Sequence, residues 1–266
     1  MLTIISPAKT LDVSRESLFK TQTQPKFQSQ TADIISILKN LKIEEIAKLM
    51  NISNKLAEIN FLRFQNFDCK NFNIDNSFTA ILTFDGDVYE AIKLKEVENS
   101  QYFDDLLNFA QNNLLILSGL YGILRPLDII QPYRLEMGTS FKQYPINNIT
   151  NLYQFWQDKI TDYLNLEILQ HKEKTLINLA SQEYFDVINR SLFKGKVINI
   201  NFQEYRNNKL TTIAINSKRA RGLMTRFILD NKITSSEEIV KFSSSGYQYH
   251  SKRVIDQKTE NWLFVL

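Results

Sequence analysis

Three stretches of the chain gather residue types that can do chemistry. The densest is Ser118-Gly-Leu-Tyr-Gly-Ile-Leu-Arg-Pro-Leu-Asp128, followed closely by Gln131-Pro-Tyr-Arg-Leu-Glu-Met-Gly138. Tyr121, Arg125, Asp128, Tyr133, Arg134 and Glu136 crowd this irregular segment after an apolar run. Loops at strand ends are where α/β proteins place ligands. Arginine can hold a phosphate, tyrosine can stack on a base, and Asp128 or Glu136 can act as acid or base. Lys9, just beyond the first apolar run, is a further candidate for the same cleft. A purely structural, salt-bridged loop would use the same residue types. The spacing matches neither a phosphate-binding P-loop nor a nucleophile elbow.

The second stretch is Leu49-Met-Asn-Ile-Ser-Asn-Lys-Leu-Ala57. A helix-hairpin-helix element has two glycines in its turn, and here Asn51 and Ser53 stand in their places. Leu49, Ile52 and Ala57 keep the apolar register. Asparagine tolerates left-handed backbone better than most residues, and serine caps helices. The amides of a following helix, with Asn54 and Lys55 in its first turn, can hold a backbone phosphate. An ordinary helical hairpin packed on a sheet would read the same way.

The third stretch is Ser217-Lys-Arg-Ala-Arg-Gly-Leu-Met-Thr-Arg226. If a helix starts at Ser217, then Lys218, Arg219 and Arg221 fall in its first turn. Cations are disfavoured there by ~0.3–1 kcal/mol each, so three together ask for a compensating anion. A phosphate or the protein's own carboxylates would serve. Gly222 inside the helix suggests a close neighbour.

Composition narrows the choices. The chain has 266 residues, 43% hydrophobic and 23% charged, which suits a folded globular protein able to bury a sizeable core. A net charge of +3 is too small to imply nucleic-acid binding without a local patch. One cysteine, Cys69, excludes an internal disulfide. With only His171 and His250 beside it, a zinc or iron–sulfur site is not expected. Oxygen ligands at Asp85, Asp87, Asp128 and Glu136 would favour Mg²⁺, Ca²⁺ or Mn²⁺ over iron. Neither histidine has triad-like neighbours. No apolar run approaches the ~20 residues of a membrane span, and the start of the chain reads as a buried strand rather than a signal peptide. We therefore expect a cytoplasmic protein without metal, cofactor or membrane contact.

Hydrophobic periodicity supplies the scaffold. Short apolar runs at residues 2–5, 80–84, 114–117, 176–179 and 262–266 read as strands. Residues 196–204 and 210–216 read as a hairpin around Asn207-Asn208. Helices are expected in 31–67 (three, the first capped by Thr31), 88–95, 102–112, 152–170, 183–189 and 217–231. A further helix is expected after the capping-box spacing of Ser235 and Glu238. Residues 14–29 read as an extended surface connection. Alternating strands and helices with a β-hairpin predict an α/β fold: one mixed-sheet domain over 1–266, with a helical, helix-hairpin-helix-like insert at 31–70.

These segments resemble a known family. Ile5-Ser-Pro-Ala-Lys-Thr-Leu-Asp12, the two blocks spanning 117–128 and 131–138, Asn178-Leu-Ala-Ser181 with Glu183-Tyr-Phe185, and Lys218-Arg-Ala-Arg-Gly-Leu-Met224 are similar to the YaaA family of peroxide-stress proteins. The resemblance covers nearly the whole chain and is weakest over 248–266. It implies a cytoplasmic protein that helps bacteria survive hydrogen peroxide by keeping unincorporated iron low. It also implies a single unusual α/β fold with a positively charged cleft, a helix-hairpin-helix element and DNA binding, but no settled reaction. With so few soft ligands, any effect on iron is expected to be indirect. The leading expectation is binding of duplex DNA, largely independent of sequence, through phosphates. Asn51, Ile52, Ser53, Asn54 and Lys55 would form one contact region, and Lys218, Arg219 and Arg221 another. The alternative is an enzyme acting on a nucleotide or damaged nucleobase at Lys9, Tyr121, Arg125, Asp128, Tyr133, Arg134 and Glu136, with a small phosphorylated ligand. A surface that recruits a protein partner is a third option.

Overall fold

The computed structural model describes residues 1–14, 22–73, 75–96 and 101–266. Residues 15–21 of the connection expected at 14–29 lie outside them, and its last two residues belong to a helix.

One eight-stranded mixed sheet organises the chain. Its strands are β1 (Leu2–Ile5), β2 (Leu114–Ser118), β3 (Gly122–Leu124), β4 (Thr175–Asn178), β5 (Lys196–Arg206), β6 (Lys209–Thr211), β7 (Gln248–Val254) and β8 (Thr259–Val265). The order is β7-β8-β5-β4-β1-β2-β3, with β6 paired to the far end of β5. Strands β8, β5, β4, β1 and β2 run parallel, while β7, β3 and β6 pair antiparallel. Parallel strands are covered on both faces, and their residues are apolar in succession. Accordingly β1, β2 and β4 are buried at every position.

The helices are α1 (Gln28–Leu38), α2 (Ile43–Met50), α3 (Asn54–Asn66), α4 (Asp87–Ile92), α5 (Gln101–Asn113), α6 (Leu152–Ile168) and α7 (Ala214–Asp230). Their caps explain several boundaries. Glu45 reaches back to the Lys42 amide at 2.7 Å and starts α2. The Asn151 side chain accepts from Gln154 N at 2.8 Å and starts α6. Helices α4 and α7 approach closely because position 222 is glycine. A Cβ there would lie 2.2 Å from the Val88 carbonyl oxygen and 2.7 Å from Ala91 Cβ, so the expected close neighbour is a helix of the same chain.

The fold differs from expectation where local pattern and tertiary demand conflict. Thr31 does not cap α1: it is buried inside the helix and donates to the Leu120 carbonyl at 3.2 Å. Residues 80–84 are not a strand; Ala80–Thr83 form one buried helical turn between two-residue strands at Phe78–Thr79 and Phe84–Asp85. Packing on both sides, not periodicity, decides this short apolar run. The second strand of the 196–216 hairpin stops at Thr211, and α7 begins at Ala214 rather than Ser217. Lys218, Arg219 and Arg221 therefore lie beyond the first turn, so the helix-start argument for a compensating anion does not hold. Ser235 makes no side-chain cap, and only a short 3₁₀ stretch, Ser236–Lys241, follows. Strand β7, an edge strand exposed at almost every residue, has no apolar signal to read.

A half-buried histidine and a buried aspartate act oppositely on stability. Burial, and then the Met1 ammonium, lowers the His171 pKa to about 4. Folding thus disfavours its protonation, and stability is lost as pH falls from about 6.5 towards 4. Burial raises the Asp128 pKa to about 6 against a hydroxyl bond from Thr23 and an amide bond from Arg125. Its contribution runs the other way, with stability lost as pH rises from about 4 to 6. The two slopes overlap, so bulk unfolding against pH is a poor reporter of either. Proton NMR of the imidazoles separates them: the His171 ring signals should stay still from pH 8 to 5.5 and titrate near pH 4. A midpoint near 6.5 would contradict this burial.

Candidate active site at the carboxyl ends of the parallel strands

β1 lies between β2 and β4, and the chain leaves the sheet at their carboxyl ends through three turns. Where strand order reverses in an open α/β sheet, those turns part and leave a crevice. Each turn here carries a serine. Ser6 follows β1, Ser118 ends β2, and Ser181 follows β4. The Ser181 amide donates to Ser6 Oγ at 2.8 Å, and the two hydroxyls are 3.3 Å apart. Ser181 occupies the N-cap position of the turn Gln182–Phe185, yet its hydroxyl does not cap it and accepts from the Ser6 hydroxyl instead. Tyr89, from α4, donates to the Ser6 carbonyl at 2.9 Å.

Over these turns lies the 131–138 loop. Gly119 lets it settle: a Cβ there would be 2.3 Å from the Leu135 carbonyl oxygen. The Tyr133 hydroxyl is 2.6 Å from Ser118 Oγ, which in turn accepts from the Tyr121 amide at 2.9 Å. Tyr133 and Tyr121 meet edge to face with ring centroids 5.2 Å apart. Burial raises both phenol pKa values, so both are neutral at physiological pH. Arg134 Nε and Nη2 both donate to Glu136 Oε1, at 3.1 and 2.9 Å. Lys9 Nζ approaches the same oxygen at 3.3 Å. Pro7, Ala8, Lys9, Tyr133, Arg134, Leu135, Glu136 and Tyr184 enclose a small cavity here. The Gly138 amide donates to Glu183 at 3.1 Å and pins the end of the loop to the turn after β4.

The seven residues expected to line one cleft are thus divided. Lys9, Tyr133, Arg134 and Glu136 meet in it. Tyr121 supports it from below, fully buried, with its hydroxyl bonded to Gln131. Arg125 and Asp128 are turned away into structure. Arg125 pairs with Glu167 on α6, and Asp128 accepts from Thr23 Oγ1 at 2.6 Å and the Arg125 amide at 2.8 Å. The carboxylates named as possible oxygen ligands do not converge. Asp85 is 3.8 Å from Lys95, and Asp87 is 3.9 Å from Arg219. Among the described residues no three His, Cys, Asp or Glu side chains are grouped to hold a metal ion.

The hairpin residues form a three-residue link between α2 and α3. Asn51 adopts left-handed backbone, φ 50°, the conformation that glycine would supply, and its neighbour Ile52 packs against the core. Ser53 Oγ accepts from Leu56 N at 3.4 Å, and Asn54 and Lys55 are exposed in the first turn of α3. On α7, Lys218 and Arg219 are exposed while Arg221 turns inward with its Nε buried and unbonded. Arg219 faces a separate groove of about 440 Å³ with Asp87, Glu90 and Glu204. Lys218, Arg219 and Arg221 are not among the residues enclosing the Lys9 cavity.

Sequence reasoning missed Ser6, Tyr89, Tyr184 and Arg63. Ser6 and Tyr184 stood in motif blocks but looked like turn and core residues. Tyr89 and Arg63 come from helices whose orientation no local pattern reveals. Arg63 on α3 is held at 3.4 Å by Asn60 Oδ1. Its pKa is lowered by burial and then by the nearby positive charge of Arg134.

A mixed α/β sheet with a charged, loop-built crevice at the ends of its parallel strands defines the class of this protein. The family described as peroxide stress protein YaaA matches residues 1–253, and the chain belongs to it. A UPF0246 protein of Rickettsia bellii is 46% identical over 252 residues, covering 95% of this chain and 96% of its own. UPF0246 proteins of Francisella philomiragia and Legionella pneumophila are 44% and 41% identical, covering 94% and 95% of this chain and 95% of their own lengths.

The seat of the loop is testable. Gly119→Ala should force the Leu135 backbone away and destabilise the fold by ~1–3 kcal/mol, the usual cost of overpacking. Urea unfolding checks it; an unchanged midpoint would mean that the loop does not rest on Gly119.

Proposed function

We propose that this chain acts in the cytoplasm as a peroxide-stress protein that binds duplex DNA through its phosphates, and that it lowers free iron only indirectly. The observation that carries the reading is the α2–α3 link. Asn51 takes the left-handed conformation, and the link is followed by an exposed helix start bearing Lys55. The first amides of a helix have no partner within it, and they lie at its positive end. The acidic pair Glu44 and Glu45 sits at the opposite end of the eight-residue α2, away from the link, and Lys48 lies in its last turn. Lys218 and Arg219 are the second exposed cationic group, although Asp87 draws on Arg219. Peroxide and iron generate radicals that attack DNA, so DNA contact suits a protein of this response.

Groups that meet phosphates rather than base edges give binding that is weakly selective and steeply dependent on salt. Titration of a duplex at several salt concentrations should give a log–log slope of about −0.9 per phosphate neutralised. Lys55→Glu should weaken binding and flatten that slope while leaving the unfolding midpoint near that of the parent. A salt-independent affinity would remove the basis of the reading.

Iron offers a separate check. One cysteine and two histidines cannot supply the soft ligands that tight iron sites use. Elemental analysis of protein purified without chelators, with anaerobic Fe²⁺ titration beside it, should find no stoichiometric iron. One tightly held iron per chain would show that the effect on iron is direct.

A further inference from the structure

The crevice carries more positive charge than its carboxylate balances. Lys9 and Arg134 both engage Glu136, and Arg63 stands near Arg134 with no ion pair among the described residues. Two cations therefore converge on one carboxylate oxygen, with the positive charge of Arg63 felt at Arg134, in a setting where the Arg134 and Glu136 side chains are 18% and 14% exposed.

The pairing itself is poorly made. Arg134 directs two donors at a single oxygen, Oε1, and Lys9 approaches that same oxygen. The other oxygen, Oε2, is buried and receives no hydrogen bond. A guanidinium and a carboxylate pair best through two parallel bonds to two oxygens, and a buried polar atom left without a partner is costly. Glu136 thus fills a place whose donors are set for a larger anion. The enclosed volume of about 10 Å³ holds no more than one water, so a ligand must displace the Glu136 side chain to enter.

We propose that Arg63, Arg134 and Lys9 form a receptor for a phosphomonoester dianion, and that the Glu136 carboxylate occupies it as an internal surrogate until the phosphate displaces it. A phosphate group has three oxygens and nearly two negative charges, so it can accept separately the donors that now converge on one oxygen. The exposed Lys9, 64% accessible, is the open side of the receptor. The same chemistry is offered by a free nucleoside 5′-monophosphate and by the 5′-phosphate at a DNA end. The receptor is distinct from the α2–α3 link, which addresses internal phosphates of a duplex.

The test is calorimetric titration of the full chain with adenosine 5′-monophosphate and with adenosine. Beside it stands a duplex-end arm comparing 5′-phosphorylated and 5′-hydroxyl short duplexes. The parent should bind the phosphorylated member of at least one pair more tightly. Arg134→Gln and Arg63→Gln should weaken that preference by about tenfold or more, the factor carried by ~1.4 kcal/mol. Glu136→Gln keeps the shape but removes the competing charge, and it should tighten phosphate binding. A merely structural Glu136 would not produce that gain. Arg134→Lys should restore part of the lost affinity, and a thermal melt on each variant identifies misfolding. A preference confined to the nucleotide or to the duplex end identifies the source and supports the receptor. No preference in either pair, or weaker phosphate binding in a folded Glu136→Gln variant, overturns it. Loss of duplex binding in Lys55→Glu with this preference intact would separate the two sites.

Discussion

The site depends on the parallel pairing of β1 between β2 and β4. Thr3 lies opposite Leu114 on one side and Ile177 on the other, so residues far apart in sequence share one register. Ser6, Ser118 and Ser181 then leave the sheet within a small region. The three strands are buried at every position, so water is excluded along their length. Only at their carboxyl ends do polar side chains come together, and there each serine is used to tie one turn to another. Long-range pairing of this kind costs loop-closure entropy before it returns contacts, which the apolar strands supply.

That arrangement also decides which charges are functional. The 131–138 loop rests on Gly119, and its Tyr133, with Tyr121 beneath it, is neutral, buried and bonded in place. With the backbone held, Arg134 and Glu136 lie side by side and pair through a single carboxylate oxygen. Arg125 and Asp128 belong to the same stretch of chain but face α6 and the Thr23 strand bridge, where each is satisfied by a partner. Neighbours in sequence thereby divide between the crevice and the framework. The crevice and the α2–α3 link meet through α3, which carries Lys55 at its start and Arg63 towards its end.

Much of the frame was legible in the sequence because it rests on local physics. Runs such as 2–5, 114–117 and 176–179 are apolar in succession, and only burial on both faces suits them. Helices α2, α3 and α6 carry both an apolar stripe and a capping residue. Asn51 takes the left-handed backbone and Ser53 accepts from the next helix, because left-handed tolerance and capping are properties of those side chains alone. The motif blocks of the loop identified the family, and of the seven residues expected in one cleft the structure brings Lys9, Tyr133, Arg134 and Glu136 together.

What only the tertiary structure decided is the direction in which side chains face. Periodicity cannot assign the four-residue run 80–83, since a buried turn and a buried strand are equally apolar. It could not place β7, whose edge position leaves it polar, nor the true start of α7 three residues before Ser217. It could not bring Arg63, Tyr89 and Tyr184 to the crevice, because each belongs to a different helical segment. Sequence determines which residues a strand or helix must bury. The pairing order of the strands and the packing of α3 and α4 determine which polar groups then meet, because their contacts are set across distances that no local pattern spans.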